Sequence, residues 1–115
     1  MAADYPITIE QGATFRLSAV WKDGTGTPVN LTGWTARMMV RRRYSDVTPL
    51  LTFTTENGAI ALGGTAGTVE VTGLATLTDD VPAKPCVYDL ELASPTGFVK
   101  RLLEGAAIVT PEVTK

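Results

Sequence analysis

Apolar and polar residues alternate with a period of two through most of this chain, the pattern of strands that bury one face. Between Thr14 and Trp21, Phe15, Leu17, Ala19 and Trp21 fall on one side and Thr14, Arg16 and Ser18 on the other. Between Thr35 and Arg43, Ala36, Met38 and Val40 point inward, and Arg37, Arg41 and Arg43 point to solvent. Thr68 to Thr72 buries Val69 and Val71. Val87 to Ala93 sets Tyr88, Leu90 and Leu92 against Asp89 and Glu91. Shorter strands are predicted at Ile7–Glu10, Leu50–Thr54 and Ala59–Leu62. The first reads as an edge, because Pro6 at its start cannot donate to a ladder.

Turn residues separate these segments. Lys22 to Pro28 is a loop rich in Gly, Thr and Pro. Glu56-Asn57-Gly58 carries the Asn-Gly pair of a tight hairpin and is expected to join the strands on either side of it. Ser94-Pro95-Thr96-Gly97 turns into a last strand, Phe98 to Val109, where the alternation fails. Leu102 and Leu103 are adjacent, and Ala106 to Val109 is apolar on both faces. A bulge near Gly105 or cover on both sides would account for this. One short helical turn is expected near residues 74–80, bridging two sheets. Together these elements predict a single all-β domain over residues 1–115, an immunoglobulin-like antiparallel β-sandwich of about 7–9 strands. Residues 1–6 and 110–115 are expected to extend from it as arms.

Composition agrees with a chain that folds on its own core. Its 115 residues are 44% hydrophobic and rich in Thr and Gly, enough for one core without a metal or disulfide staple. A net charge of −2 gives no bulk attraction to nucleic acid or anionic lipid, and neither partner is expected. No apolar run approaches the roughly 20 residues of a membrane span. Met1 to Asp4 lacks the basic and apolar regions of a secretory leader. Synthesis in a cytoplasm follows as the expectation.

Candidate chemistry is sparse. The chain has no histidine, which removes His-based triads, His metal sites and imidazole proton shuttles. Cys86 is the sole cysteine and reads as a small buried apolar residue. Gly63-Gly64-Thr65-Ala66-Gly67 superficially resembles a phosphate loop, but no Lys-Ser or Lys-Thr follows and a strand comes next, so it reads as a hairpin connection. Asp79 and Asp80 lack the alternating spacing of calcium loops. Asn30-Leu31-Thr32 matches a glycosylation sequon only incidentally. No enzymatic activity, cofactor or small-molecule substrate is expected.

Two stretches resemble known phage proteins. Phe15 to Asp23, followed by Pro28-Val29-Asn30-Leu31-Thr32-Gly33-Trp34-Thr35-Ala36-Arg37-Met38, resembles the N-terminal β-sandwich domain of phage upper-baseplate and tail-fibre attachment proteins. Val87-Tyr88-Asp89-Leu90-Glu91-Leu92, with Arg101-Leu102-Leu103-Glu104-Gly105 and Val109 to Thr114, is similar to the C-terminal half of small phage virion proteins. The resemblance implies a non-enzymatic structural component of a tailed-phage virion: a tail, baseplate or fibre-adaptor subunit that contacts other virion proteins and copies of itself. Capsid decoration or a head–tail junction is the alternative within that class. A glycan-binding adhesive module is the alternative outside it, and would need aromatics exposed around Trp34 and Tyr44. Arg is enriched at interface hot spots, so the candidate contacts are Arg37, Arg41, Arg43 and Tyr44. Leu102, Leu103, Ile108 and Val109 on the doubly apolar strand join them, with Pro111 and Val113 on the C-terminal arm. Arg37, Arg41 and Arg43 are also expected to pair across strands with Asp89 and Glu91.

Overall fold

The strongest alternation in the chain, at residues 35–41 and 85–93, becomes the centre of the larger of two packed sheets. The structure is a computed structural model that describes residues 3–113. Its strands, in chain order, are β1 (Ala3–Asp4), β2 (Ile7–Glu10), β3 (Phe15–Val20), β4 (Thr35–Arg41) and β5 (Leu51–Thr54). β6 (Ile60–Leu62), β7 (Thr68–Gly73), β8 (Pro85–Ala93) and β9 (Val99–Thr110) follow, with the short helix α1 (Ala75–Thr78) between β7 and β8. One sheet has the order β1-β9-β8-β4-β5 with β2 also on β9, and the other the order β3-β7-β6. This is the order of an immunoglobulin-like sandwich. As expected, α1 carries the chain from the smaller sheet to the larger. Its Thr78, fully buried, donates its hydroxyl to the Ala13 carbonyl at 2.8 Å.

Residues predicted to face inward do so. Phe15, Leu17, Ala36, Met38, Val40, Val69, Val71, Tyr88, Leu90 and Leu92 are all buried in one core, with Ile9, Phe53 and Ile60. Cys86 is buried there as a free thiol, and burial pushes its pKa up, with Arg42 pulling weakly the other way.

Five expectations need correction. The sheet is not wholly antiparallel, because β1 and β2 lie parallel to β9, pairing Ala3 with Leu103 and Ile7 with Ala107. Residues 3–6 are therefore docked on their own domain rather than extended as an arm; Met1 and Ala2 lie outside the described residues. Pro6 separates the two short strands, and Gly105 lets them pass. A Cβ on Gly105 would come within 3.2 Å of the Tyr5 backbone. The Tyr5 amide donates to the Glu104 carbonyl at 2.8 Å.

Asn57-Gly58 does not form a hairpin. β5 pairs with β4 and β6 with β7, so the turn is a corner between sheets. The Asn57 carboxamide oxygen accepts from the Thr54 and Ala59 amides at 3.1 and 2.9 Å. It thereby replaces the ladder bonds lost at the crossing, as an Asx turn does. By contrast, residues 63–67 do connect antiparallel neighbours, β6 and β7, through a 3-10 turn.

The bulge in β9 falls at Leu102, not near Gly105. Leu90 faces Leu103 while Glu91 faces Arg101, leaving Leu102 as the extra residue. Finally, β4 ends at Arg41, so Arg43 has left the sheet for the following turn.

Candidate functional site

Outward positions on the three central strands of the larger sheet build a patterned face. Register places Arg37 of β4, Glu91 of β8 and Arg101 of β9 side by side. One level along lie Met39, Asp89 and Glu104, and beyond them Arg41, Val87 and Ala106. Residues three apart in a regular strand face opposite ways. The extra residue at Leu102 therefore turns Arg101 and Glu104 to the same side, and this is how the bulge assembles the face.

Arg101 is its hub. Its guanidinium lies 3.5 Å from Asp89, 3.7 Å from Glu91 and 3.5 Å from Glu104. Glu91 is also 3.7 Å from Arg37. Arg37 and Arg101 side chains keep 64% and 52% exposure, so solvent screens each pair and none adds much to stability. The network orients charge more than it holds the fold. The Asp89 carboxyl sits above the usual carboxylate range, through burial first and its neighbour Glu91 second, partly offset by Arg101. Arg101 is raised in turn, chiefly by Asp89.

A raised carboxyl favours the protonated form in the fold, so this group's contribution to stability is largest below its unfolded pKa. It falls as pH rises through the folded value. Asp89→Asn is therefore expected to leave the melting temperature at pH 7 unchanged or slightly raised. Scanning calorimetry checks this, and a clear drop at pH 7 would show that the charged form is needed.

A shallow concavity of about 390 Å³ lies over this network, lined by Arg37, Met39, Arg41, Tyr44, Asp89 and Arg101 among others. Arg41 is held across it. It donates to the Asp46 carbonyl at 3.0 Å and to the Met39 sulfur at 3.3 Å. Tyr44 stands 79% exposed at its rim.

The sequence-predicted residues divide accordingly. Arg37, Arg41 and Tyr44 meet at the concavity. Of the three arginines, only Arg37 makes the expected bond to the β8 acids; Arg43 turns instead to Asp46 at 3.8 Å. Ile108 is exposed on the same outer face, while Val109 belongs to the core. Leu102 and Leu103 pack half-buried against that core. β9 is not a sheet edge, since β8 flanks it on one side and β1 and β2 on the other. Pro111 follows β9, and Val113 is 95% exposed; Thr114 and Lys115 lie outside the described residues. Sequence reading missed Arg101 and Glu104, and the adjacent Leu102-Leu103 that broke the alternation was the available signal.

At one end of the sandwich Trp21 packs edge-on against Trp34 at 5.4 Å, and Trp34 against Phe98 at 6.2 Å. Trp34 precedes β4 and Tyr44 follows it, so the two aromatics required for the glycan-binding alternative stand at opposite ends of that strand. Among the described residues no three acidic or cysteine side chains converge as metal ligands; Asp89, Glu91 and Glu104 turn to Arg101 instead. Among the described residues no helix is long and apolar enough to cross a membrane.

Fold and face together define an immunoglobulin-like β-sandwich bearing a charged outer sheet surface. Comparison with protein-family models gives no match, and comparison with curated proteins gives none either.

Proposed function

We propose that the chain is a non-enzymatic structural subunit of a tailed-phage particle, acting through protein–protein contacts in the tail, baseplate or fibre-adaptor region. The resemblance of residues 15–38 and 87–114 to virion proteins supports the setting. The observation that carries the contact role is the outer face of the larger sheet. There a preformed ion-pair network, with Arg37, Arg101 and Glu91 at its centre, lies open beside exposed Tyr44 and Ile108. Charge arranged in this way contributes orientation and partner choice more than raw affinity, which suits a subunit placed many times in one assembly.

The test is quantitative mass spectrometry of gradient-purified phage particles whose genome encodes this chain. A fixed copy number relative to a known tail or capsid protein is the expected result. Confinement to the soluble lysate fraction would overturn the proposal.

A further inference from the structure

The outer face of the larger sheet carries two adjacent stripes of opposite sign at matched levels. β4 presents Arg37, Met39 and Arg41; beside it β8 presents Glu91, Asp89 and Val87, each directly across the ladder from its β4 counterpart. A surface of one sign fits a partner of the other sign. Two neighbouring stripes of opposite sign fit a second copy of the same surface.

We propose that two copies of this chain pair face to face through this surface, about a two-fold axis that runs along the strands between β4 and β8. That operation lays the β4 stripe of each copy over the β8 stripe of the other. Arg37 then meets Glu91 of the second copy, and Met39 meets Asp89 of the second copy. Arg101 and Glu104 meet the hydroxyls of Thr54 and Thr52 on β5 of the second copy, because β9 and β5 flank the central pair symmetrically. A two-fold axis across the strands would instead set Arg37 against Arg41 and Asp89 against itself, which like-charge repulsion disfavours. An isologous contact of this kind is the commonest route to a closed dimer.

Size and composition are consistent with a modest interface. β5, β4, β8 and β9, of 4, 7, 9 and 12 residues, at about 4.8 Å spacing and about 3.3 Å per residue, offer roughly 500 Å². That is somewhat below the roughly 800 Å² per partner of a standard interface. Met39, Val87, Val99 and Ile108 supply apolar area around the charges; Val99 is 55% exposed and Ile108 42%. Charged pairs taken out of water return little net affinity, so dissociation in the range of about 1–100 μM is expected.

This inference rests on the contact role proposed above but not on the phage setting. Sedimentation velocity over a concentration series, with the chain alone, tests it. A monomer–dimer equilibrium weakening about tenfold or more between low and 0.5 M salt is expected, since salt screens the attraction between the complementary charged faces of the free monomers. Two variants fix the geometry: Arg37→Glu with Arg41→Glu, and Asp89→Lys with Glu91→Lys, each checked for folding by circular dichroism. Each alone should be monomeric, and the two mixed should form a heterodimer. A wild-type monomer throughout, a dimer insensitive to salt, or folded variants that dimerise alone would each overturn the inference. Should a variant fail to fold, the salt dependence of the unmodified chain still decides. A monomer that nevertheless co-purifies with particles would leave the phage reading standing. A dimer absent from particles would sink that reading and spare this one.

Discussion

Phe53→Ala is expected to lower the stability of the fold by about 3–5 kcal/mol, the range for truncation of a buried aromatic side chain. The ring is fully buried on β5 and bridges the two sheets, stacking on Phe15 of β3 with centroids 6.1 Å apart. It also lies against Gly73 of β7, the cross-strand partner of Phe15, where even a Cβ would come within 3.0 Å of the ring. Because that wall has no side chain to relax into the space, the cavity left by truncation stays open, and its cost adds to the lost transfer energy. For a domain of this size the loss corresponds to roughly 10–20 °C in melting temperature. Calorimetry or guanidinium titration measures it. A loss under about 1 kcal/mol would mean that the sheets pack without this ring.

The second large effect is alkaline. Tyr88 is buried on the inner face of β8 at 3% exposure, and its hydroxyl donates to the Tyr5 carbonyl. Burial first, then the neighbouring Tyr5 and Asp4, push its pKa up to about 12, against about 10 in an unfolded chain. The fold thus favours the neutral phenol. Its contribution is intact below about pH 10 and is lost as pH rises through about 12, a loss of about 2–3 kcal/mol in all. Tyr88→Phe should abolish this alkaline limb while costing about 1 kcal/mol at pH 7, because the Tyr5 carbonyl loses its donor. Urea titrations at pH 7, 10 and 12 distinguish the two. An alkaline limb that survives in the phenylalanine variant would place the titration elsewhere.

These two sites also show how far the sequence could be read. Tyr88 was predicted to face inward from its alternation with Asp89 and Glu91, and it does. Its bond partner, 83 residues away at Tyr5, left no local trace. Phe53 sits in a strand that was expected, yet that strand turned out to pair with β4 rather than with β6. The expected hairpin at Asn57-Gly58 was a sound reading of local turn chemistry. The same Asn-Gly backbone can close a hairpin or turn a corner between sheets. Which occurs depends on where Leu51, Phe53 and Ile60 find apolar cover, and that is a property of the whole core.

The candidate face divides in the same way. Arg37 and Glu91 were expected to meet, because both lie on solvent faces of strongly alternating strands, and they stand directly opposite. Arg101 became the hub only through the bulge at Leu102, whose position depends on β8 and β9 being neighbours. Of the arm expected at residues 1–6, the described part, residues 3–6, is docked for a related reason. β9 has two edges, and parallel pairing of residues 3–10 satisfies one of them. That strand was read correctly as apolar on both faces near its end, but its neighbours could not be inferred from its own residues.

A period of two is a property of each strand alone. It therefore determined, without any fold, which side chains of β3, β4, β7 and β8 enter the core, and that the domain is all-β. Pairing partner, sheet membership and register depend on contacts between segments far apart in the chain, where many arrangements satisfy the same alternation. The parallel docking of residues 3–10 on β9, the sheet-crossing corner at Asn57 and the convergence of Arg101 on three carboxylates belong to that second class. They follow only when both sheets close over one core.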